Sequence, residues 1–461
     1  MNYPQALEYI KSAARFGIKP GLERIKELCR RLGNPQSGLK VFHIAGTNGK
    51  GSVSSYLTHI LVTAGYKTGW FTSPYLEHFS ERIRVFSGPK DLAAYDTANR
   101  AGEIGEEDFA RIMTGIEIEV SRMLADGFDN PTEFELITAA AFLWFYEQNC
   151  DFIVLETGLG GRLDSTNIIE HPEAAIICSL SYEHVEVLGP TIARIAAEKA
   201  GIMKAQVPVY AYDPAASYLS AGDQQTVRQV LEERAAELSS PLTWVGRDSV
   251  TILEQSHSGQ DFLWQNRRFH TRLLGSYQPL HAILAAKATT PYVNIDQIKE
   301  GINIAFWPGR LEVCSEKPFI LLDGAHNVQA CTSLAETLEQ ILPGQRLVLL
   351  TGMLADKNTS EMLRKILLDR NYSIDAIFAT EPDNPRKLAA SSLAEQIEKI
   401  NSERLESLSK DSYNIRIVAL AEAGDAARQA MQYAQERDLA LIAFGSLYLI
   451  GNIRHILRGS N

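Results

Sequence analysis

The chain has 461 residues, of which 45% are hydrophobic, and its formal net charge is −11. This length exceeds the roughly 250–300 residues at which single hydrophobic cores stop growing, so two domains are expected. The acidic balance argues against a general nucleic-acid binder, and no apolar run reaches the roughly 18 residues that a membrane helix needs. The first residues lack the pattern of a signal peptide, which favours a cytoplasmic protein without a membrane partner.

A short apolar strand, Val41–Ala45, leads into a glycine-rich turn, residues 46–52, with the sequence GTNGKGS and a predicted helix after it at 53–64. Glycines allow a tight turn, and the start of a helix attracts anions. Lys50 adds a full charge, and Ser52 adds a hydroxyl suited to a metal-bound phosphate. The spacing is not that of the ordinary Walker pattern, because Ile44 stands where that pattern has its first glycine. We predict a polyphosphate-binding loop; the alternative is a β–α turn with a solvated lysine.

Strand-like runs alternate with helical patterns along the whole chain, which is typical of an α/β fold with parallel sheets. The predicted strands of the first half are 41–45, 67–72, 151–156, 174–179 and 207–211. Those of the second half are 319–322, 346–351, 375–379, 416–419 and 439–444. Residues 243–270 predict a small antiparallel element that begins at Trp244, and residues 215–240 predict a surface helix. A Trp-Pro-Gly sequence at 307–309 suggests a boundary near 305, which gives domains 1–304 and 305–461.

Ligands in open α/β sheets gather beyond the carboxyl ends of the strands. Ser73 follows the second predicted strand, Glu156 ends the third, and His184 lies beyond the fourth. Hydroxyl and carboxylate oxygens near a phosphate suit Mg²⁺. Ser73 could instead cap the next turn, and His184 could be structural. Glu156 ends a buried apolar run and needs a partner, which a metal or an arginine could supply.

Three further residues attract attention because of their positions. Lys199 lies near the end of a predicted helix, 192–200, and its residues alone favour a lysine that complements the helix dipole. Arg310 follows the Trp-Pro-Gly sequence and would close over a phosphate when two domains approach; the alternative is a surface ion pair with Glu312. Asp323 ends a predicted strand and opens the polar sequence DGAHN.

Taken together, the motifs resemble those of the Mur ligase superfamily and, within it, of the folylpolyglutamate synthases and dihydrofolate synthases. The matching segments occur in the family's order over almost the whole chain, at 45–52, 72–76, 81–84, 132–135, 155–167, 184–189, 198–202, 308–310, 322–327 and 445–451. The resemblance implies an N-terminal P-loop-type ATPase domain, similar to the Mur ligase central domain, and a C-terminal Rossmann-like α/β domain.

The resemblance also implies an activity. It is the ATP-dependent ligation of L-glutamate to a folate through an acyl phosphate, with dihydropteroate as a second acceptor in some members. Two Mg²⁺ sites and a monomer are implied as well. Three alternatives stay open: a Mur-type ligase with a non-folate acceptor, an ATP-dependent kinase or switch that ligates nothing, and a binding protein without turnover.

Residue roles follow from the same resemblance. Catalytic roles are implied for Lys50, His184, Lys199 and His326, with Lys199 carbamylated so that it can ligate a metal. ATP contacts are implied for Gly46, Thr47, Asn48, Gly49, Lys50, Gly51, Ser52, His281, Arg310 and Asp323. One Mg²⁺ would be held by Ser73 and Glu156 and a second by His184. The folate side is implied to be Thr132, Phe134, Glu135, Leu163, Asp164 and Ser165. His281 stands where the family usually has asparagine, so its contact with ATP is open.

Overall fold

The computed structural model of the protein describes residues 1–13, 17, 19–98, 100–368, 370–407 and 414–459. The chain divides into two compact units. The first comprises Met1–Thr251, Trp264–Phe269 and Pro279–Phe306, and the second comprises Ile252–Leu263, His270–Gln278 and Trp307–Asn461.

A seven-stranded sheet forms the centre of the first unit. Its strands are β1 (Val41–Ala45), β2 (Thr68–Phe71), β3 (Ile83–Phe86), β4 (Phe152–Glu156), β5 (Ala174–Ile177), β6 (Val209–Tyr212) and β7 (Leu242–Val245). Their order across the sheet is β3-β2-β4-β1-β5-β6-β7. Neighbours run parallel except β3, which pairs antiparallel with β2. The carboxyl ends of β2, β4, β1 and β5 therefore meet at one edge, which is where ligands of parallel sheets bind.

Helices cover the sheet of the first unit. They are α1 (Tyr3–Ala13), α2 (Glu23–Arg31), α3 (Lys50–Thr63), α4 (Pro89–Ala98), α5 (Glu106–Ala125), α6 (Glu133–Glu147), α7 (Val185–Leu188), α8 (Ile192–Ala200), α9 (Ala221–Glu237), α10 (Gln278–Thr289) and α11 (Ile295–Ile304). One apolar core joins α1, α2, α5 and α6 to the sheet, and a second joins α8 and α9 to it. Strands β1 and β4 are buried along their whole length, which explains their continuous apolar sequence.

A separate three-stranded sheet has the order β10-β9-β8. Its strands are β8 (Thr251–Ser256), β9 (Gly259–Trp264) and β10 (Arg267–Thr271). Gln265 and Asn266, which link β9 to β10, both have positive φ, as a tight hairpin turn requires. The predicted small sheet is thus present, but the prediction that Trp244 belongs to it is wrong. Trp244 lies in β7, which pairs parallel with β6 in the large sheet.

The second unit contains a six-stranded sheet with the order β11-β12-β16-β13-β14-β15. The strands are β11 (Glu312–Glu316), β12 (Phe319–Asp323), β13 (Arg346–Thr351), β14 (Ser373–Ala379), β15 (Arg416–Ala419) and β16 (Ala440–Phe444). Only β11 pairs antiparallel with its neighbour among these described strands. The helices are α12 (Val328–Ile341), α13 (Thr359–Leu367), α14 (Ala390–Ser407), α15 (Ala423–Arg437) and α16 (Leu447–Leu457).

The predicted α/β class with two parallel sheets is confirmed. Every predicted strand is present within a few residues of its predicted bounds, and the predicted surface helix is α9. The helix predicted at 53–64 begins at Lys50. It therefore starts within the predicted polyphosphate-binding loop, residues 46–52, which we call the phosphate loop. Strands β3 and β11 were not predicted. Within the part of the chain that is described, no helix has both the length and the hydropathy needed to cross a membrane.

Candidate functional site

Two glycines shape the turn between β1 and α3. Gly49 has a left-handed backbone with φ of 93°, and α3 begins at the next residue. A Cβ atom on Gly49 would lie 2.4 Å from Nε2 of His281, and one on Gly46 would lie 2.6 Å from Cβ of Cys178. Because neither position has room for a side chain, the loop packs on its surroundings through bare backbone.

Hydrogen bonds tie this loop to the segment after β5. The backbone N–H groups of Thr47 and Asn48 donate to the carbonyl of Ser179 at 2.9 and 3.1 Å. The hydroxyl of Thr47 donates to the carbonyl of Ser181 at 3.1 Å. Thr47 and Asn48 therefore anchor the loop to the segment after β5. The backbone N–H groups suited to an anion are those of residues 50–52, in the first turn of α3, where the helix supplies no acceptor.

Lys50 lies over its own loop. Its Nζ donates to the carbonyl of Gly46 at 3.1 Å and lies 3.9 Å from Oε1 of Glu156. The exposed fractions of the two side chains are 18% and 5%, so the lysine is not a solvated one. Glu156 ends β4, and the charged side chain beside it is Lys50, whereas the sequence suggested a metal or an arginine as its partner. Two opposite charges shielded from water attract each other more strongly than they would at the surface.

Strand register brings Ser73 and Glu156 to the same edge. Phe71, the last residue of β2, lies beside Leu155 of β4. Glu156 is the next residue of β4, and Ser73 comes two residues after Phe71, so both predicted ligands lie at the ends of neighbouring strands. His184 is the residue just before α7; it has a left-handed φ of 51°, and its side chain is 46% exposed. Among the described residues, no three of His, Cys, Asp or Glu come together as metal ligands. His184 and Glu156 are therefore not part of such a cluster.

Lys199 is buried beneath the phosphate loop. Its Nζ donates to the carbonyl of Gly46 at 2.8 Å. Burial, together with the nearby charge of Lys50, lowers the pKa of Lys199 to about 7. Gly201, two residues after Lys199, has an ordinary helical φ, so its backbone conformation does not require glycine. The position has no room for a side chain, because a Cβ there would lie 2.4 Å from Cα of Arg162. The sequence around Lys199 favoured a lysine that complements the helix dipole; the structure adds that Lys199 is buried and that its amine donates to a carbonyl of the phosphate loop.

The segment that follows Glu156 folds into a closed loop, residues 157–168, around one carboxylate. Oδ2 of Asp164 accepts the backbone N–H of Leu159 at 2.8 Å. Oδ1 accepts the backbone N–H and the hydroxyl of Thr166 at 3.0 and 2.6 Å. Burial raises the pKa of Asp164, although its hydrogen-bond donors act in the opposite direction. Ser165 shares a hydrogen bond of 2.7 Å with Thr138 of α6. We call residues 157–168 the acceptor loop, because the resemblance places Leu163, Asp164 and Ser165 on the side of the folate, the acceptor of glutamate.

The predicted folate-side residues at 132–135 divide into two groups. Thr132 and Glu135 form a capping box at the start of α6, and Glu135 is ion-paired with Arg24 of α2 at 3.1 Å. Their hydrogen bonds hold α2 and α6 together. Phe134 packs on the acceptor loop, since a Cβ on Gly158 would lie 2.5 Å from its ring. Leu163 is half-buried in the same loop.

His281 of α10 contacts the phosphate loop directly. Its imidazole lies against Gly49 and 5.7 Å from the ring of Tyr212. Burial lowers the pKa of His281 to about 3, so the ring is neutral. The family usually has asparagine at this position. The neutral imidazole of His281 resembles the asparagine side chain in that it is uncharged and carries polar nitrogen atoms.

In the second unit, Asp323 ends β12 and accepts two backbone N–H groups, from Leu311 and Ala325, at 2.9 Å each. Burial raises the pKa of Asp323, and Arg310 opposes that effect. Nδ1 of His326 lies 2.8 Å from the carbonyl of Gly324, and this contact orients the ring.

Glu312, which the sequence suggested as an alternative partner of Arg310, pairs with a different arginine. Glu312 is buried and bonds to Arg454 of α16, whose Nε lies 2.9 Å from Oε2. The predicted residues Arg310 and His326 both lie near enough to Asp323, at the carboxyl end of β12, to lower the pKa of its carboxyl group.

Sequence reasoning missed several residues that support this site: Arg24, His43, Thr138 and Thr166. His43 offered a signal, because it is the polar residue in the apolar run VFHIA. Thr166 lies inside a matching motif but was not assigned a role. Arg24 and Thr138 carry no local signal, because their partners are distant in sequence or on another element.

Comparisons with known proteins bear on both units. The model of the Mur ligase middle domain matches residues 44–289, and that of the Mur ligase glutamate ligase domain matches residues 309–446. The dihydrofolate synthase/folylpolyglutamate synthase of Bacillus subtilis is 33% identical over 474 residues, and the match covers 99% of each chain.

Two solved structures are similar over nearly their full length. Folylpolyglutamate synthase from Thermotoga maritima has a TM-score of 0.78 at 30% identity, covering 100% of this chain and 97% of that one. Escherichia coli FolC in complex with DHPP and ADP has a TM-score of 0.79 at 25% identity, covering 99% and 98%. The chain therefore belongs to the Mur ligases and, among them, to the family of folylpolyglutamate synthases and dihydrofolate synthases.

Proposed function

We propose that the protein is an ATP-dependent ligase that joins L-glutamate to a folate. In the first step the γ-phosphoryl group of ATP passes to the folate carboxylate, which yields ADP and an acyl phosphate. In the second step the amino group of glutamate attacks the acyl carbon, an amide forms, and inorganic phosphate leaves. Positioned charge does most of the work in such phosphoryl transfers.

One observation carries this proposal: a phosphate-type loop and the acceptor loop share one edge of one sheet. Lys50 lies 3.9 Å from Glu156, and Glu156 is the residue from which the acceptor loop departs. A carboxylate held in the acceptor loop would thus be near a phosphate at the start of α3. The relative from Escherichia coli, solved with DHPP and ADP, is consistent with this arrangement.

The oxygen donors at this edge fit Mg²⁺. Mg²⁺ is usually held by one or two carboxylates together with waters and substrate phosphates, and not by an all-protein cage. Glu156, Ser73 and Ser52 would supply one carboxylate and two hydroxyls, and the cation would neutralise charge on the phosphates. We assign His184, whose side chain is half exposed, to a second cation.

We further propose that CO₂ carbamylates Lys199. Only an unprotonated amine attacks CO₂, and a pKa of about 7 leaves a large neutral fraction at neutral pH. Incubation with ¹³C-bicarbonate should give a carbamate carbon signal by NMR that is absent from Lys199→Met. The same spectrum in both proteins would contradict the modification.

Roles for the two domains follow from the same proposal. Residues 1–304 would bind ATP through the phosphate loop and His281, and the folate through Phe134 and the acceptor loop. Residues 305–461 would contribute Arg310 and Asp323 to ATP binding and His326 to glutamate binding. The monomeric state and the cytoplasmic location remain predictions.

A single assay separates the candidate functions. Purified protein receives ATP, Mg²⁺ and glutamate with either dihydropteroate or tetrahydrofolate. We expect release of ADP and phosphate that requires both glutamate and a folate, and a product heavier by one glutamyl residue. Release without glutamate, with a stable phosphorylated product, would indicate a kinase. ATP binding without turnover would indicate a binding protein, and turnover only with a peptidoglycan precursor would indicate a Mur-type acceptor.

A further inference from the structure

His43 is a buried histidine to which the proposed chemistry gives no role. It lies in the middle of β1, is 0% exposed, and its Nε2 is 2.8 Å from Oγ1 of Thr166. Nδ1 has no hydrogen-bond partner in the described part of the chain. Burying an imidazole with one hydrogen bond is less favourable than burying an aliphatic side chain, so packing alone does not explain a histidine here.

The hydrogen-bond distances fix the direction of the protons. The hydroxyl of Thr166 has one proton, and it donates this proton to Oδ1 of Asp164, which lies 2.6 Å from Oγ1. Oγ1 must therefore accept from His43, so the proton of the ring is on Nε2. Burial lowers the pKa of His43 to about 3, which leaves the ring neutral with one N–H to donate. The result is a one-directional chain from His43 through Thr166 to Asp164.

This chain ends at the carboxylate that closes the acceptor loop. Asp164 also accepts from Leu159 at 2.8 Å, so the loop's two ends are joined through it. Without the donor from His43, the hydroxyl of Thr166 loses its fixed orientation, and the closing contact at 2.6 Å weakens.

We infer that His43 is a positioning residue that holds the acceptor loop in the shape that binds the folate-type substrate. The inference rests on the proposed function. His43 acts through Thr166 and touches no substrate, so its effect falls on the acceptor and not on ATP. His43 lies on β1, the strand that leads into the phosphate loop. The same strand thus connects directly to the phosphate loop and, through His43, to the acceptor loop.

The test compares three variants by steady-state kinetics. Loss of one hydrogen bond predicts that His43→Leu raises the KM for the folate roughly three- to tenfold, with the KM for ATP unchanged. His43→Gln retains an N–H donor of similar reach and should restore the wild-type KM for the folate. Thr166→Val removes the contact with Asp164 outright and should raise the KM for the folate at least as much as His43→Leu. The double variant should be no worse than Thr166→Val, because the two residues act in series.

A matched control is His59→Leu, which removes another buried histidine, one that bonds within α3 to the carbonyl of Ser55 at 2.8 Å. It should leave the KM for the folate at the wild-type value. A purely structural role for His43 predicts equal effects of the two histidine variants, or equal rises in both KM values, and either result overturns the inference. If His43→Leu does not fold, His43→Gln and Thr166→Val carry the same comparison.

A second readout does not depend on activity. Hydrogen exchange followed by mass spectrometry should show faster exchange over residues 158–168 in His43→Leu, with unchanged exchange in α3. Unchanged exchange in the acceptor loop overturns the inference. Wild-type protein that shows no glutamate-dependent turnover with any folate would instead overturn the proposed function, so the two failures are distinct.

Discussion

Replacing Lys199 by methionine should stabilise the protein at pH 6.5. The amine is 5% exposed, and burial lowers its pKa from 10.5 to about 7. Methionine has a similar length and carries no charge. The substitution therefore removes a group whose charged form is disfavoured in the folded state.

The magnitude follows from the two pKa values. At pH 6.5 the lysine is protonated in both states, and a difference of about 3.5 pKa units corresponds to about 5 kcal/mol against folding. The substitution also removes the hydrogen bond to the carbonyl of Gly46, at a cost of about 1–2 kcal/mol. We expect Lys199→Met to be more stable than the wild type by about 3 kcal/mol at this pH.

The pH dependence has a definite sign. Between pH 7 and 10.5 the unfolded chain binds a proton at Lys199 that the folded protein lacks. The wild type therefore gains stability over the variant as the pH rises, by about 1.4 kcal/mol per pH unit, until the difference due to charge vanishes above 10.5.

The assay is urea unfolding in CO₂-free buffer at pH 6.5, 8 and 9.5, followed by tryptophan fluorescence. Comparing two proteins at one pH cancels the other titrating groups. Lys299→Met, at an exposed position on α11, is the matched control for exchanging a lysine for methionine. A difference for Lys199→Met that stays constant with pH, or a variant less stable than the wild type at pH 6.5, would refute the reasoning.

Three further predictions concern the first unit. Lys50→Met should lower the rate of ADP release roughly 100-fold or more, because the transferred phosphate loses its positioned charge, and a rate within a factor of a few of wild type would contradict this. Gly49→Ala should lower the melting temperature more than Gly65→Ala: both glycines have φ near 93°, but only the first has no room for a Cβ. Glu135→Gln should destabilise the protein by about 3 kcal/mol in urea unfolding, because it leaves the buried guanidinium of Arg24 without its ion pair.

Much of the fold was predictable because the parallel strands are buried on both faces. Such strands must be continuous apolar runs, and these runs are visible in the sequence without any knowledge of their neighbours. Strand β3 reads IRVF and β11 reads EVCSE, so their polar residues hid them. Trp244 was assigned to the wrong sheet because a short strand gives no sign of which partner it will pair with.

The limits at the site have a different physical cause, namely the distance in sequence between interacting groups. The glycine-rich turn between β1 and α3 was predictable because its glycines, lysine and helix start are contiguous. The burial of Lys199 was not predictable from its own residues because its environment is set by Gly46, 153 positions away. Only the resemblance to a family gave it a chemical role. The hydrogen bond of His43 to Thr166 spans 123 positions, and the pairing of Arg24 with Glu135 spans 111. A single polar residue inside a buried strand is therefore a reason to look for a distant partner, and the experiments on His43 test whether that partner serves the substrate.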